Sequence, residues 1–149
     1  MAGRGVEFGK VAMQPGAPQG AGTYRGVAVA ALPGNPVSAS VSFEVFVRPA
    51  LRAAMGLPAD RLRVRARLTE SLDSPAGRRQ YRRGALDVRG ALDVRGALDV
   101  AALTVSPVGG AGSHLLAALA RSDCLIEIDE HTTRVAAGTE VTVLRVRET

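Results

Sequence analysis

An apolar run that leads into a helix-initiating turn places the strongest constraint on how this chain folds. Residues 27–32 are wholly apolar, as in a strand that is buried on both faces of a parallel sheet. Pro33 and Gly34 follow as a turn. Asn35 is a good helix N-cap, and Pro36 suits the first helical position, which needs no N–H. A strand, a tight turn and a helix make half of a βαβ unit, so an α/β arrangement is predicted here.

The helix that begins at Pro36 is predicted to run to about Met55 and to end at Gly56. Pro49 should kink it or split it in two. Upstream, residues 6–13 are predicted to form a short strand. Residues 14–22 are predicted to form a loop because they are rich in proline and glycine. One face of the helix carries three valines, which suits burial inside a larger body: Val37, Val41 and Val45.

The pattern changes after residues 56–60, where we place a domain boundary. Arginines at 61, 63, 65 and 67 alternate with apolar residues, a period of two that predicts a half-buried strand with its arginines in water. Further strands are predicted at 78–88, 103–106, 124–129 and 140–147, and a short helix at 113–121. Residues 57–149 are therefore predicted to form a small all-β barrel or sandwich, after an α/β domain over residues 1–56.

A tandem repeat interrupts this second domain. The sequence Arg-Gly-Ala-Leu-Asp-Val occurs at 83–88, 89–94 and 95–100. Because its six-residue period is even, a strand that slips by one copy keeps every side chain on its original face. Leu86 and Val88 and their equivalents could each supply the same inward pair. We predict a lengthened or register-ambiguous hairpin with no chemical role.

Composition excludes several classes of protein. The chain has 149 residues, 46% of them hydrophobic and 22% charged, which argues against global disorder. No apolar run is long enough for a transmembrane helix or a secretory signal, and a single cysteine fits the cytoplasm. The net charge of +5 invites nucleic-acid binding, but aromatic residues make up only 3% and offer few stacking platforms.

Three loops are candidates for binding an anion, each with a plainer explanation. Residues 33–36 open a helix, and the free N–H groups there favour an anion. The alternative is that they form only a helix start capped by Asn35. Lys10 precedes a rigid Pro-Gly-x-Pro loop and could reach a phosphate, or it is a solvated lysine. Residues 109–112 are glycine-rich and lead to Ser113 and His114, which could bind an anion or form a flexible connector with a serine cap.

No metal site is predicted from the residues themselves. His114 and His131 are 17 residues apart and have no cysteine or carboxylate cluster at ligand spacing, which disfavours zinc. Cys124 lies in a β-like apolar stretch and is expected to be a small core residue.

Six segments together resemble molybdopterin molybdenumtransferases, enzymes related to the E domain of gephyrin. Three resemble the end of the family's molybdopterin-binding domain, and three resemble its C-terminal β-barrel. In chain order the segments are residues 10–19, 32–40, 43–51, 78–84, 112–116 and 134–141.

The resemblance implies insertion of molybdate into adenylylated molybdopterin with release of AMP, with Mg²⁺ involved and a homodimer in the full-length family. It implies neither a nucleic-acid nor a membrane partner, and it leaves the catalytic residues unknown. It places substrate-binding residues in the three candidate loops and the helix start. They are Lys10, Pro15, Gly16, Pro33, Gly34, Asn35, Pro36, Ser38, Ser113 and His114.

Two departures from the family pattern favour alternatives to a complete enzyme. Gln14 and Ala17 stand where family members usually carry lysines, so two cations that would stabilise an anionic substrate are missing. The family's upstream domains, with the acidic residues near the metal, have no counterpart here. We therefore expect a truncated part of the enzyme, or alternatively a non-catalytic module that binds a pterin or a protein.

Overall fold

The structure is a computed structural model that describes residues 5–88, 102–110 and 116–147. The strands in these residues are β1 (Val6–Lys10), β2 (Met13–Gln14), β3 (Pro18–Tyr24), β4 (Val27–Ala31), β5 (Arg63–Leu68), β6 (Leu72–Asp73), β7 (Arg79–Asp87), β8 (Thr104–Pro107), β9 (Cys124–Ile128), β10 (Arg134–Val135) and β11 (Glu140–Arg145). The helical segments are α1 (Pro36–Ser42), a π-helical turn (Phe43–Val47), α2 (Arg48–Ala54) and α3 (Leu116–Arg121). None of the described helices is long and apolar enough to cross a membrane.

The first part of the chain begins with a three-stranded antiparallel sheet in the order β1-β3-β4. The prediction that residues 14–22 form a loop is wrong, because β3 occupies Pro18–Tyr24 at the centre of this sheet. The glycines of β3 allow close packing within the sheet and do not form a turn. A Cβ on Gly20 would lie 2.7 Å from the ring of Phe8, which is the residue opposite it on β1.

The predicted strand at 27–32 exists as β4, but its predicted surroundings are wrong. It pairs antiparallel with β3 and is largely exposed, with Val27 at 66% exposure. An apolar run does not specify the direction of its neighbour or whether a second layer covers it, because both depend on distant residues.

The predicted helix is confirmed, including its start and its end. Asn35 is the N-cap of α1, and helical structure continues to Ala54, with Gly56 just beyond it in the left-handed region at φ +70°. Pro49 divides the helix as expected, through a π-helical turn. Arg48 N–H donates to the carbonyl of Phe43, five residues back, so the chain widens immediately before the proline.

The second part of the chain is a closed barrel of five strands in the order β7-β8-β5-β11-β9, with β9 pairing back to β7. β5 and β8 are parallel and the other neighbours are antiparallel. The strands predicted in this part are confirmed, and the three arginines of β5 face outward. The prediction is wrong for Arg61, which precedes β5 and is 15% exposed because it pairs with Glu44. The buried barrel core contains Ala66, Leu68, Leu72, Leu103, Val105, Cys124, Ile126, Ile128, Val135, Val141 and Val143.

A second apolar cluster joins the helix to the outside of the barrel. It contains Met13, Val41, Tyr81, Leu125 and Leu144. The two-residue strand β2 adds to this junction because it pairs parallel with β7. The two parts of the chain therefore share a packed interface. The predicted boundary at 56–60 falls between the end of α2 and the start of β5 and stays a prediction.

The first copy of the hexapeptide repeat belongs to β7. Leu86 and Val88 pack against the barrel core, as predicted for the inward pair. Asp87 pairs with Thr104 on β8. One of these residues precedes the other two copies of the repeat and one follows them, so the strands that flank those copies are antiparallel neighbours. Those copies, residues 89–100, lie outside the described residues, and the hairpin stays a prediction.

Candidate functional site

The turn that precedes α1 forms a capped helix start. The Oδ1 atom of Asn35 accepts hydrogen bonds from the N–H groups of Val37 at 3.0 Å and Ser38 at 3.2 Å. Two of the helix's free donors are thereby satisfied within the chain. Gly34 is exposed, and no atom lies within 4 Å of where its Cβ would be. This arrangement is the plainer of the two explanations offered for the turn. Anion binding there stays a prediction.

The loop after β2 packs tightly against α1. Gly16 has φ +99°, and a Cβ there would lie 2.6 Å from the hydroxyl of the buried Ser42. The side-chain amide of Gln19 donates to the carbonyl of Gly16 at 2.7 Å and to that hydroxyl at 2.6 Å. Only glycine combines this backbone conformation with this approach. The loop is therefore held in one position against the helix.

A narrow cavity lies where this loop, the start of α1 and the barrel meet. Its volume is about 10 Å³, room for about one water-sized group. It can therefore admit a single oxygen or amino group, but not a whole pterin. Its lining combines residues of both parts of the chain: Gln14, Pro15, Val37, Gln80, Tyr81, Arg82, Arg83 and Gly110.

Two adjacent residues of β7 that line this cavity, Arg82 and Arg83, are arginines. Arg83 is only 6% exposed, and its Nη2 donates to the carbonyl of Gly110 at 2.8 Å. Burial lowers the pKa of Arg83. Burial and the positive charge of Arg83 both lower the pKa of Arg82. Since no carboxylate is among the described residues that line the cavity, an anion bound there would stabilise the charged form of Arg83.

Gln80, which also lines the cavity, has a buried acceptor atom. Its side chain is 1% exposed, and its Oε1 has no hydrogen-bond partner within the described ranges. A buried carbonyl oxygen without a donor is unfavourable, so a ligand hydroxyl, amine or water that donates to it would be stabilised. Arginines beside this acceptor suit a ligand that has both anionic oxygens and donor groups.

The structure brings some of the predicted substrate-binding residues to this cavity and leaves others away from it. Pro15 lines it, Gly16 follows directly, and the buried Ser38 is next to the lining residue Val37. Lys10 is not among its described lining residues; it is exposed and pairs with Pro18 at the end of the sheet. The remaining residues that the structure describes belong to the turn before α1 and to its first position: Pro33, Gly34, Asn35 and Pro36.

Ser113 and His114 lie outside the described residues. Gly110, at the start of the glycine-rich loop that leads to them, lines the cavity. Their predicted role in binding therefore stays a prediction.

Sequence reasoning singled out none of Gln80, Arg82 and Arg83 as site residues. The sequence nevertheless contains a signal, the two consecutive arginines Arg82 and Arg83. Because side chains alternate across a strand, two consecutive arginines on one strand cannot both face the same side. One of the pair had to point toward the interior or into the junction between the two parts.

A larger hollow of about 680 Å³ lies on another side of the barrel and contains none of the predicted site residues. Its described lining contains three arginines and three carboxylates. Two of the arginines are paired: Arg79 contacts Glu130 at 3.3 Å, and Arg65 contacts Glu140 at 3.1 Å. These charges balance, so the lining has no excess of positive charge.

Comparisons with known proteins agree with the two-part organisation. Residues 65–146 match the model of the MoeA C-terminal region (domain IV), and residues 1–53 match that of a probable molybdopterin binding domain. The chain belongs to the MoeA family. The first match alone covers more than half of the chain.

Two Mycobacterium tuberculosis proteins are among the similar members of the MoeA family. Molybdopterin molybdenumtransferase 2 is 51% identical over 140 residues, and molybdopterin molybdenumtransferase 1 is 42% identical over 142 residues. Each alignment covers 93% of this chain but 32% of the relative. The chain thus spans about a third of the length of these relatives.

The fold agrees with solved structures of the MoeA family. A crystal structure of a molybdopterin biosynthesis MoeA protein from Pyrococcus horikoshii superposes with a TM-score of 0.75 at 27% identity. The superposition covers 97% of this chain and 32% of the Pyrococcus chain. The predicted fold, the end of an α/β domain followed by a small barrel, is confirmed.

Proposed function

We propose that this chain acts in molybdenum cofactor biosynthesis as part of a molybdopterin molybdenumtransferase. The reaction is insertion of molybdate into adenylylated molybdopterin with release of AMP. Membership of the MoeA family and the names of its relatives support this proposal. The observation that carries it is the cavity between β7 and the 14–16 loop, which the buried Arg83 lines and which has no carboxylate among its described lining residues.

In this proposal the cavity receives one oxygen of an anionic substrate group, while the rest of the substrate lies outside it. Molybdate and phosphate are both tetrahedral oxyanions, and guanidinium groups bind such oxygens through charge-assisted hydrogen bonds. Arg83 supplies the positive charge, and the buried Oε1 of Gln80 accepts a hydrogen bond from a donor on the ligand. Charge that builds up on the oxyanion during transfer would be stabilised by the same groups.

The described residues of this chain do not fit a magnesium site. They contain no group of three or more histidines, cysteines, aspartates or glutamates that could hold a metal ion. The cavity itself offers guanidinium groups, which repel a cation. We therefore propose that the Mg²⁺ implied by the family is held by residues of the upstream two thirds found in the relatives.

The reaction is best tested with an extended protein beside the chain itself. The extended protein carries the upstream two thirds of the 51% identical relative at the N-terminus of this chain. We expect it to release AMP from adenylylated molybdopterin in the presence of molybdate and Mg²⁺. If it forms neither cofactor nor AMP, the proposed reaction is wrong.

Substitutions in the extended protein then test the cavity. Arg83→Gln should lower the rate of AMP release at least tenfold. Arg67→Gln removes the same charge from an exposed position on β5 and should change the rate less than twofold. Equal effects of the two changes would remove the cavity from the mechanism. A thermal melt of each variant identifies loss of folding.

A second candidate function is supported by the position of Gln14. This neutral residue lines the cavity where family members usually carry a lysine, which suits a module that binds a pterin or a protein without catalysis. Restoring lysine at Gln14 and Ala17 distinguishes the two functions. Unchanged ligand affinity favours the binding module, whereas tenfold tighter binding indicates a catalytic pocket that has lost its cations.

We also propose that the full-length protein is a cytoplasmic homodimer. The resemblance to the family implies the dimer, and the single cysteine suits a reducing compartment. Sedimentation velocity of the extended protein tests the first point. A species of twice the chain mass is expected, and a monomer at all concentrations would contradict it.

A further inference from the structure

A second cleft lined by arginines lies on the side of the molecule where α2, the connector to the barrel and the end of β11 meet. Its volume is about 240 Å³, and it shares no lining residue with the narrow cavity. The described residues that line it include five arginines and one carboxylate. They are Arg48, Arg52, Asp60, Arg61, Leu62, Arg145 and Arg147.

Contacts within the chain fix three of these arginines in place. Arg52 Nε donates to the carbonyl of Pro58 at 2.6 Å, and Arg48 Nη1 donates to that of Ala59 at 3.3 Å. Arg61 forms a two-pronged pair with the carboxylate of Glu44, at 2.8 and 3.0 Å. A ligand would therefore meet side chains whose ordering is already achieved by folding, which favours affinity.

The described residues that line the cleft carry an excess of positive charge. Five of them are arginines and one is a carboxylate, Asp60, which is 86% exposed, while the nearby Glu44 is paired with Arg61 and Arg48. Like charges gathered in one cleft raise its potential and concentrate anions there. An anion of charge −2 or more would be attracted to these guanidinium groups more strongly than a singly charged one.

We propose that this cleft binds a small phosphate-bearing anion with at least two negative charges. Guanidinium groups bind phosphate oxygens in pairs, and several of them on different walls suit a group with oxygens in several directions. The volume lies below that of pockets for drug-sized ligands. No aromatic residue is among the described lining residues, so single-stranded bases would find no stacking platform.

The test uses the full 149-residue chain and inorganic pyrophosphate, titrated calorimetrically at an ionic strength held constant with chloride. Arg52→Gln and Arg147→Gln should each weaken binding at least fivefold. The control Arg67→Gln makes the same change of net charge on the outside of β5 and should weaken it less than twofold. Equal weakening by all three variants, or no binding, would overturn the proposal.

A second measurement on the unaltered chain does not depend on variants that fold. Pyrophosphate should shift the backbone amide NMR signals of Leu62 and Val146, beside the cleft, more than those of Gln80 and Gly84, beside the narrow cavity. Shifts confined to the latter pair would overturn the proposal while supporting the proposed function. Shifts at the cleft together with an inactive extended protein would support this proposal and overturn the proposed function.

Different ligands identify the source of the phosphate. Pyrophosphate binding as tight as that of ADP supports recognition of the phosphates alone, and tighter binding of ADP supports a nucleotide phosphate. A single-stranded oligonucleotide that binds tenfold more tightly than both, and loses affinity in the Arg52→Gln variant, would overturn the small-anion class in favour of nucleic acid.

Discussion

The barrel buries its apolar residues, whereas the three-stranded sheet of this chain leaves large apolar residues exposed. Ile126 and Val143 are fully buried in the barrel, whereas Phe8 on β1 is 76% exposed. The barrel strands close on one another, so each inner face meets another inner face. In the described residues β1 and β4 each pair with β3 alone. Burial in this chain therefore stabilises the barrel and its junction with the helix much more than the sheet.

Truncating one apolar side chain in each region tests this contrast most directly. Ile126→Ala should lower the free energy of unfolding by about 3 kcal/mol, because it leaves a cavity among fully buried neighbours. Val27→Ala on the exposed strand β4 should change it by less than about 0.5 kcal/mol. Urea denaturation measures both. Similar losses would mean that the sheet is also covered in solution.

The buried thiol of Cys124 gives the stability of the barrel a pH dependence. Burial raises the pKa of Cys124, so the folded state keeps its proton above pH ~8.5, where the unfolded chain loses it. Stability from this group is complete below that pH and falls as the pH rises, by about 1.4 kcal/mol per pH unit.

Urea denaturation between pH 8 and 10 measures this slope. The variant Cys124→Ala should show a shallower slope, whatever its stability at pH 7. Parallel slopes for the variant and the parent chain would show that Cys124 reaches solvent in the folded state.

The helix that links the two regions depends on its cap. Asn35→Ala removes the acceptor for the amides of Val37 and Ser38 and should lower the free energy of unfolding by about 1 kcal/mol. Asn35→Asp keeps an acceptor oxygen and should restore most of the loss. A full loss with Asp would show that the amide group of Asn35, and not its oxygen, matters. Thermal denaturation monitored by circular dichroism is sufficient for both variants.

The smallest effect is expected on the outer face of the barrel. Arg65→Gln breaks the exposed pair with Glu140, and such pairs contribute little because water and salt screen them. We expect a change in stability of less than about 0.5 kcal/mol. A loss comparable to that of Ile126→Ala would show that the barrel depends on its surface charges. Repeating the measurement in 1 M NaCl would identify that electrostatic contribution.

Local chemistry explains which parts of the fold could be predicted. The arginine alternation on β5, the Asn35 cap and the stop at Gly56 each follow from a few neighbouring residues. The strand β3 was missed because its glycines and alanines have low strand propensity. Pairing on both sides and the ring of Phe8 over Gly20 make it a strand, and these are contacts with other segments.

The candidate site was only partly predictable for the same reason. Pro15 and Gly16 were found because proline and glycine mark loops. Arg83 was missed because its strand was recognised without the direction of each side chain. That direction depends on how β7 fits between β8 and β9 in the closed barrel.

The π-helical turn before Pro49 has a rotational consequence. In an uninterrupted α-helix, residues seven and eleven positions beyond Val41 would lie on its side of the helix, toward the barrel. Those residues are Arg48 and Arg52. The additional residue that a π turn takes up rotates everything after it by about 100°. Because of this one additional residue, the helix presents an apolar face at its start and a basic face, turned in another direction, at its end.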